Sequence, residues 1–145
     1  MSKTLVARVC NGMHSQTAAD TSDVIFRGLF SLIFIVGGLG HFFRSEEMLS
    51  RIKDSPWHDV VLLFGDPLIH LWLSGLALVI GGIALALGWH TRLAALMLLV
   101  TLIPITIAIH IAPGHVGPLL KNVAIAGGLI HFMFRGPGRY SINPH

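Results

Sequence analysis

Four apolar stretches run along this chain, and in each the apolar residues cover most of a helical circumference, leaving one narrow stripe of small or polar residues. The stripe of the second stretch reads His70, Ser74, Ala77, Gly81, Ala84 and Gly88, stepping by alternate fours and threes. That spacing keeps one face of a helix together. The first reads Arg27, Ser31, Phe34, Gly38 and His41; the fourth reads Lys121, Ala124, Gly128, His131 and Arg135; the third, plainer, reads Leu99, Ile103, Thr106 and His110. A helix in water hides its apolar face, whereas a helix in lipid turns its small and polar residues toward its neighbours. The pattern predicts an all-α protein, an integral membrane four-helix bundle with a polar seam.

The stretches fall at about 24–43, 68–87, 92–111 and 119–134. Residues 1–23 are polar and mixed, with no apolar run long enough for a signal peptide, and read as a tail outside the bilayer. Residues 24–143 form the membrane domain. Between the first two spans, Met48, Leu49 and Ile52 among Glu46, Glu47, Arg51 and Lys53 predict a short amphipathic helix at the interface. Pro56-Trp57-His58 breaks it, and Val60 to Phe64 is too short to cross. That segment is expected to cap the bundle or dip in shallowly. Gly88 to Arg92 is a tight turn, so the second and third spans are antiparallel neighbours. Pro104 inside the third span removes the hydrogen bond to the Val100 carbonyl and should kink the helix.

Composition supports this picture. Hydrophobic residues make up 53% of the 145 positions and charged residues 12%, against roughly a quarter charged in a soluble domain. Four spans of about 20 residues use up nearly all of the sequence, so no separate soluble catalytic domain fits. The net charge of +3 does not point to nucleic acid: the ten Lys and Arg residues lie mostly beside the spans, and no basic stripe is interleaved with aromatics. Cys10 is the single cysteine, which excludes disulfide frameworks, CxxC pairs and thiolate metal clusters within one chain. Lys3, Arg8, Arg27, Arg92, Arg135 and Arg139 share the side of the termini, while Arg44, Arg51, Lys53 and Lys121 share the other with five of the seven acids. The positive-inside rule then puts both termini in the cytoplasm.

Antiparallel threading also sets depth. His41, His70, His110 and Lys121 all fall near the face opposite the termini; Arg27 and His131 fall toward the termini. One cluster rich in histidine and a second of one Arg and one His are therefore the candidate ligand-binding residues. Three readings stay open. Neutral imidazoles could ligate a metal such as copper or a b-type haem, although no carboxylate on any span is available to orient the rings. A quinone could use a His or Lys donor at each carbonyl, with Phe42, Phe43 and Trp72 as walls. The seam could instead simply hold the bundle together or dock other subunits, since a histidine near a span's end can also snorkel to the headgroups. Lys121 opens a span of only about sixteen residues, roughly 24 Å long against a hydrocarbon core of ~30 Å. An unpaired ammonium there costs about 3 kcal/mol, so Lys121 is expected to face the bundle interior, near the carbonyls of neighbouring turns, the histidines, Asp59 or Asp66, or a ligand.

The chain resembles the DoxX family of small four-span bacterial membrane proteins. The resemblance rests on Gly37-Gly38-Leu39-Gly40-His41-Phe42, on Gly81-Gly82-Ile83-Ala84-Leu85-Ala86-Leu87-Gly88, and on Thr91-Arg92-Leu93-Ala94-Ala95-Leu96. Leu120-Lys121-Asn122-Val123-Ala124, its most specific motif, is followed by Gly136-Pro137-Gly138-Arg139-Tyr140-Ser141, and Arg27 early in the first span also fits. It implies location in the bacterial inner membrane and a role as an accessory or quinone-handling subunit of a quinone-linked respiratory or redox complex, by analogy with thiosulfate-oxidising and terminal-oxidase assemblies. Two positions depart from the family pattern. His41 stands where a lysine is common, and the stretch around Leu78 lacks the acid often found in the second span. A function that relies on that carboxylate is not implied here.

Overall fold

The computed structural model describes residues 3–107 and 116–143. They form six helices: α1 (Lys3–Phe43), α2 (Ser45–Lys53), α3 (His58–Leu63), α4 (Pro67–Leu87), α5 (Thr91–Ile105) and α6 (Val116–Arg135). Among the described residues, Gln16–Phe43, Pro67–Leu87 and Val116–Arg135 are long and apolar enough to cross a membrane, and α5 is a shorter apolar helix. The molecule is an all-α, multi-pass membrane protein. The third expected span ran to Ile111, and its end lies outside the described residues.

Two boundaries differ from the sequence reading. The first helix starts at Lys3, not near Val24. Its polar first half contains no proline, and once a helix is nucleated each added residue propagates it at little cost. At 41 residues the helix is about 62 Å long, twice the ~30 Å hydrocarbon core, so the polar turns extend α1 beyond the lipid. The last helix has 20 residues rather than sixteen, because Pro118 sits in its first turn, where a missing N–H costs nothing.

α4 packs chiefly on α1 and α5, and α5 on α6. The α1–α4 approach is close: a Cβ on Gly38 would lie 2.7 Å from the Gly75 carbonyl oxygen, and one on Gly75 2.8 Å from the His41 Cβ. The core runs through Phe34, Leu78, Leu85, Leu98, Ile125, Leu129 and Phe132. Between α1 and α6, Phe26 and Phe30 pack against Phe132 at centroid distances of 5.2 and 5.7 Å. The large apolar residues left exposed, such as Leu29, Val36, Leu73, Ile80, Leu93 and Val123, form the surface that faces lipid.

The connections obey local chemistry. Asp66 caps α4, its Oδ1 accepting from the Leu68 N–H at 2.8 Å with Pro67 next in the first turn. Gly88 closes α4 in the left-handed region at φ +70°, and a Cβ there would meet Ser141 Cβ at 2.4 Å, so only glycine fits. After Pro104, α5 widens into a π-type turn at residues 106–107, the disruption expected of an internal proline.

Candidate functional site

The polar residues gather at the two ends of the bundle, and the two gatherings differ. At the end holding the termini, Arg27 is 3% exposed. Its Nε donates to the Ala86 carbonyl at 3.1 Å, its Nη1 to the Pro137 carbonyl, and its Nη2 to the Tyr140 carbonyl at 2.6 Å. Beside it Arg135 pairs with Asp23 at 2.7 Å and Arg139 approaches Asp20 at 3.7 Å. Gly88 admits the guanidinium, since a Cβ there would sit 2.9 Å from Nη1. A planar cation spending its fork on three carbonyls from two segments ties the chain after α6 onto α1 and α4. His131 does not join it. It is exposed and its ring lies edge-on to Phe26 and Phe132. The expected Arg–His pair is thus two separate environments, one a clasp and one a lipid-facing ring.

At the opposite end the expected cluster forms in part. His41 is 6% exposed, and its Nδ1 lies 3.1 Å from the Leu71 carbonyl and 2.9 Å from Ser74 Oγ. The absent side chain of Gly75 lets His41 sit this close to α4. His70, one residue before Leu71 and so about 100° round α4, is exposed, with Nδ1 2.9 Å from the Asp66 carbonyl. Both histidines line one cavity of about 660 Å³ between α3, α4 and α5, within the size range of small-molecule sites. Its walls are apolar, including Trp57 and Phe64 beside α3, Val100 and Pro104 from α5.

His110 lies outside the described residues. Lys121 corrects an expectation: it is exposed, while Asn122 is 5% exposed and donates to Thr106 Oγ1 at 2.9 Å. The short-span argument that pushed Lys121 inward fails because α6 begins at Val116. The walls are corrected too. Phe42, Phe43 and Trp72 are exposed and none lines the cavity; Trp57 and Phe64, from the segment read only as a cap, take their place. Thr101 and Ser74 also line it. Their signal was available, since Thr101 lies one turn from Pro104, where the α5 ladder is interrupted.

α3 is the least anchored wall. None of its residues is buried, its packing on the other helices is sparse, and Gly65, at φ +115°, turns the chain directly after it. Leu63 and Phe64 are 83% and 75% exposed, which suits a segment bathed in acyl chains.

No curated protein and no solved structure matches the chain. A family model, DoxX, matches residues 22–111, the interval that carries α1 from its membrane entry, the α2–α3 segment, α4 and α5, and so both histidines of the cavity and Arg27. The chain belongs to the DoxX family.

Proposed function

We propose that this protein is a small integral subunit of a quinone-linked redox complex of the bacterial inner membrane, holding a quinone-type ligand in the His41–His70 cavity and acting with other subunits rather than alone. The observation that carries this reading is the cavity itself: about 660 Å³, apolar walls, and a histidine on each of two adjacent helices. A ring with polar substituents and a hydrocarbon tail needs that combination, with few placed polar groups in an apolar cleft. The single thiol leaves no dithiol chemistry for one chain, so a binding role fits better than independent catalysis. Arg27, Arg92, Arg135 and Arg139 at the end of the termini support a cytoplasmic location for both.

The test is extraction of lipids from protein purified out of native membranes. A stoichiometric isoprenoid quinone, lost from a His41→Leu/His70→Leu variant that still folds and unfolds cooperatively, supports the reading. Absence of any quinone, together with no binding of an added short-chain quinone, overturns it. Subunits co-purified in the same preparation identify the complex.

One observation favours a second reading. Each histidine turns Nδ1 to a backbone carbonyl, the arrangement that readies Nε2 for a metal or haem iron. A Soret band, or stoichiometric copper or iron, in the purified protein would establish that reading instead.

A further inference from the structure

The hydrogen bonds around the cavity fix more than its shape. The Leu71 carbonyl oxygen can only accept, and Ser74 Oγ already gives its proton to that oxygen at 2.8 Å. His41 Nδ1, which faces both oxygens, must therefore carry the proton, because a bare nitrogen would set lone pair against lone pair. The same holds for His70, whose Nδ1 faces only the Asp66 carbonyl. In each neutral ring the proton sits on Nδ1 and Nε2 keeps a lone pair. Among the described residues, the hydrogen bonds of both rings are made through Nδ1 and none through Nε2.

The hydroxyls and the broken helix ladder of the wall have the same sense. Thr101 spends its hydroxyl proton on the Met97 carbonyl at 2.8 Å, as Ser74 does on Leu71, so both offer only lone pairs. Pro104 has no N–H to give the Val100 carbonyl. Trp57, whose indole can only donate, also lines the wall and has a contact of its own within the protein. Trp57 apart, a quinone carbonyl brought to the His41, His70, Ser74 and Thr101 side of the wall finds acceptors where it needs donors. A hydroxyl finds partners.

We propose that the cavity selects a lipophilic hydrogen-bond donor, a phenolic hydroxyl such as that of a hydroquinone, over the corresponding quinone, with the Nε2 atoms of His41 and His70 as the groups that discriminate. This rests on the ligand reading above and adds its hydrogen-bond sense. Burying an acceptor against acceptors leaves both unpaired, which costs more than the lost bond alone. The exposed α3 and the lipid-facing Val100 and Ile107 suit entry of such a ligand from the side of the bilayer.

The experiment measures binding to the full-length protein in nanodiscs under anaerobic conditions. The probes are a decyl-substituted benzohydroquinone, its benzoquinone, and the dimethyl ether of the hydroquinone. The expected order is hydroquinone at least about tenfold tighter than either of the others, the factor one lost neutral hydrogen bond represents. His70→Phe, at an exposed position, should reduce that preference to within about threefold. His41→Gln, whose amide can rotate to donate or accept, should retain hydroquinone binding and gain quinone binding. Quinone binding equal to or tighter than hydroquinone in the unaltered protein overturns this inference and leaves the quinone-handling function standing. Equal binding of the dimethyl ether and the hydroquinone also overturns it, because shape alone then decides. Binding of none of the three overturns the ligand reading and this inference together.

Discussion

The two polar ends of the bundle use buried nitrogen in opposite ways. Arg27 directs its donors to three carbonyls of the chain itself, which closes that end and joins the residues after α6 to α1 and α4. His41 has one N–H, which goes to α4, and one lone pair left over beside an apolar cavity. A guanidinium in a membrane protein must be satisfied or it is expelled, so a satisfied one is a structural clamp. An imidazole can be buried neutral and half satisfied at far lower cost. The difference separates a residue that builds the fold from one available to a ligand, although both stand on the same stripe of α1.

Arg27→Met gives the largest effect. It leaves the Ala86, Pro137 and Tyr140 carbonyls without their cationic donor, and bonds to charged groups contribute about 1.5–3 kcal/mol each. Loss of at least about 3 kcal/mol is expected in thermal unfolding in detergent, with early proteolysis after Pro137. His41→Leu fills similar volume and removes only neutral bonds, so its loss should stay near 1 kcal/mol. Equal losses for the two variants would make the open end structural and erase the contrast.

Gly75→Ala comes next, and it acts at the open end. The new Cβ would lie 2.8 Å from His41 Cβ and 3.0 Å from the Gly38 carbonyl, so α1 must move away from α4. Overpacking of this kind costs about 1–3 kcal/mol, and because His41 moves with α1, binding of any cavity ligand should fall as well. Gly127→Ala is the matched control. A Cβ there meets nothing within 4 Å, and Ala favours the helix by up to about 1 kcal/mol. Stability should be unchanged or slightly higher, with ligand binding intact.

How far the sequence exposes this architecture depends on the helix. On α1 the stripe Arg27, Ser31, Phe34, Gly38, His41 is buried at every position, because polar and small residues coincide there with the close approach to α4. On α6 the buried line is Asn122, Ile125, Leu129, Phe132, one position from the Lys121, Ala124, Gly128, His131 stripe. Small residues on α6 sit on the shoulder of the interface, where Gly128 makes room for the Phe30 ring, while large apolar residues fill the core. Small or polar character thus marks the seam only where two backbones touch. α4 shows both regimes: Gly81, Ala84 and Gly88 of its stripe are buried, but His70 is exposed beside buried Leu71. The cavity was half legible for the same reason. Its histidines stand out in the sequence, whereas its aromatic wall comes from a segment whose place depends on the turn at Gly65.

The smallest effects separate Lys121 from Asn122, adjacent in sequence and about 100° apart on the helix. Asn122 Nδ2 donates to Thr106 Oγ1, whose own proton goes to the Leu102 carbonyl at 2.7 Å. This chain of bonds ties α6 to α5 just beyond Pro104, where the α5 backbone ladder is broken. Asn122→Ala removes a neutral interhelical bond, averaging about 0.6 kcal/mol in a membrane, and leaves Thr106 with its backbone partner. A loss near 0.6–1 kcal/mol is expected, read as a small drop in the unfolding midpoint. Lys121→Leu should lower neither stability nor ligand affinity, since the ammonium is exposed and leucine is at home in a span. If Lys121→Leu weakened ligand binding more than His70→Phe, the open end would extend to α6 and the cavity would have a cationic donor. A silent Lys121→Leu beside a measurable Asn122→Ala leaves the open end to α1, α3, α4 and α5 and makes α6 a partner of α5 through Asn122.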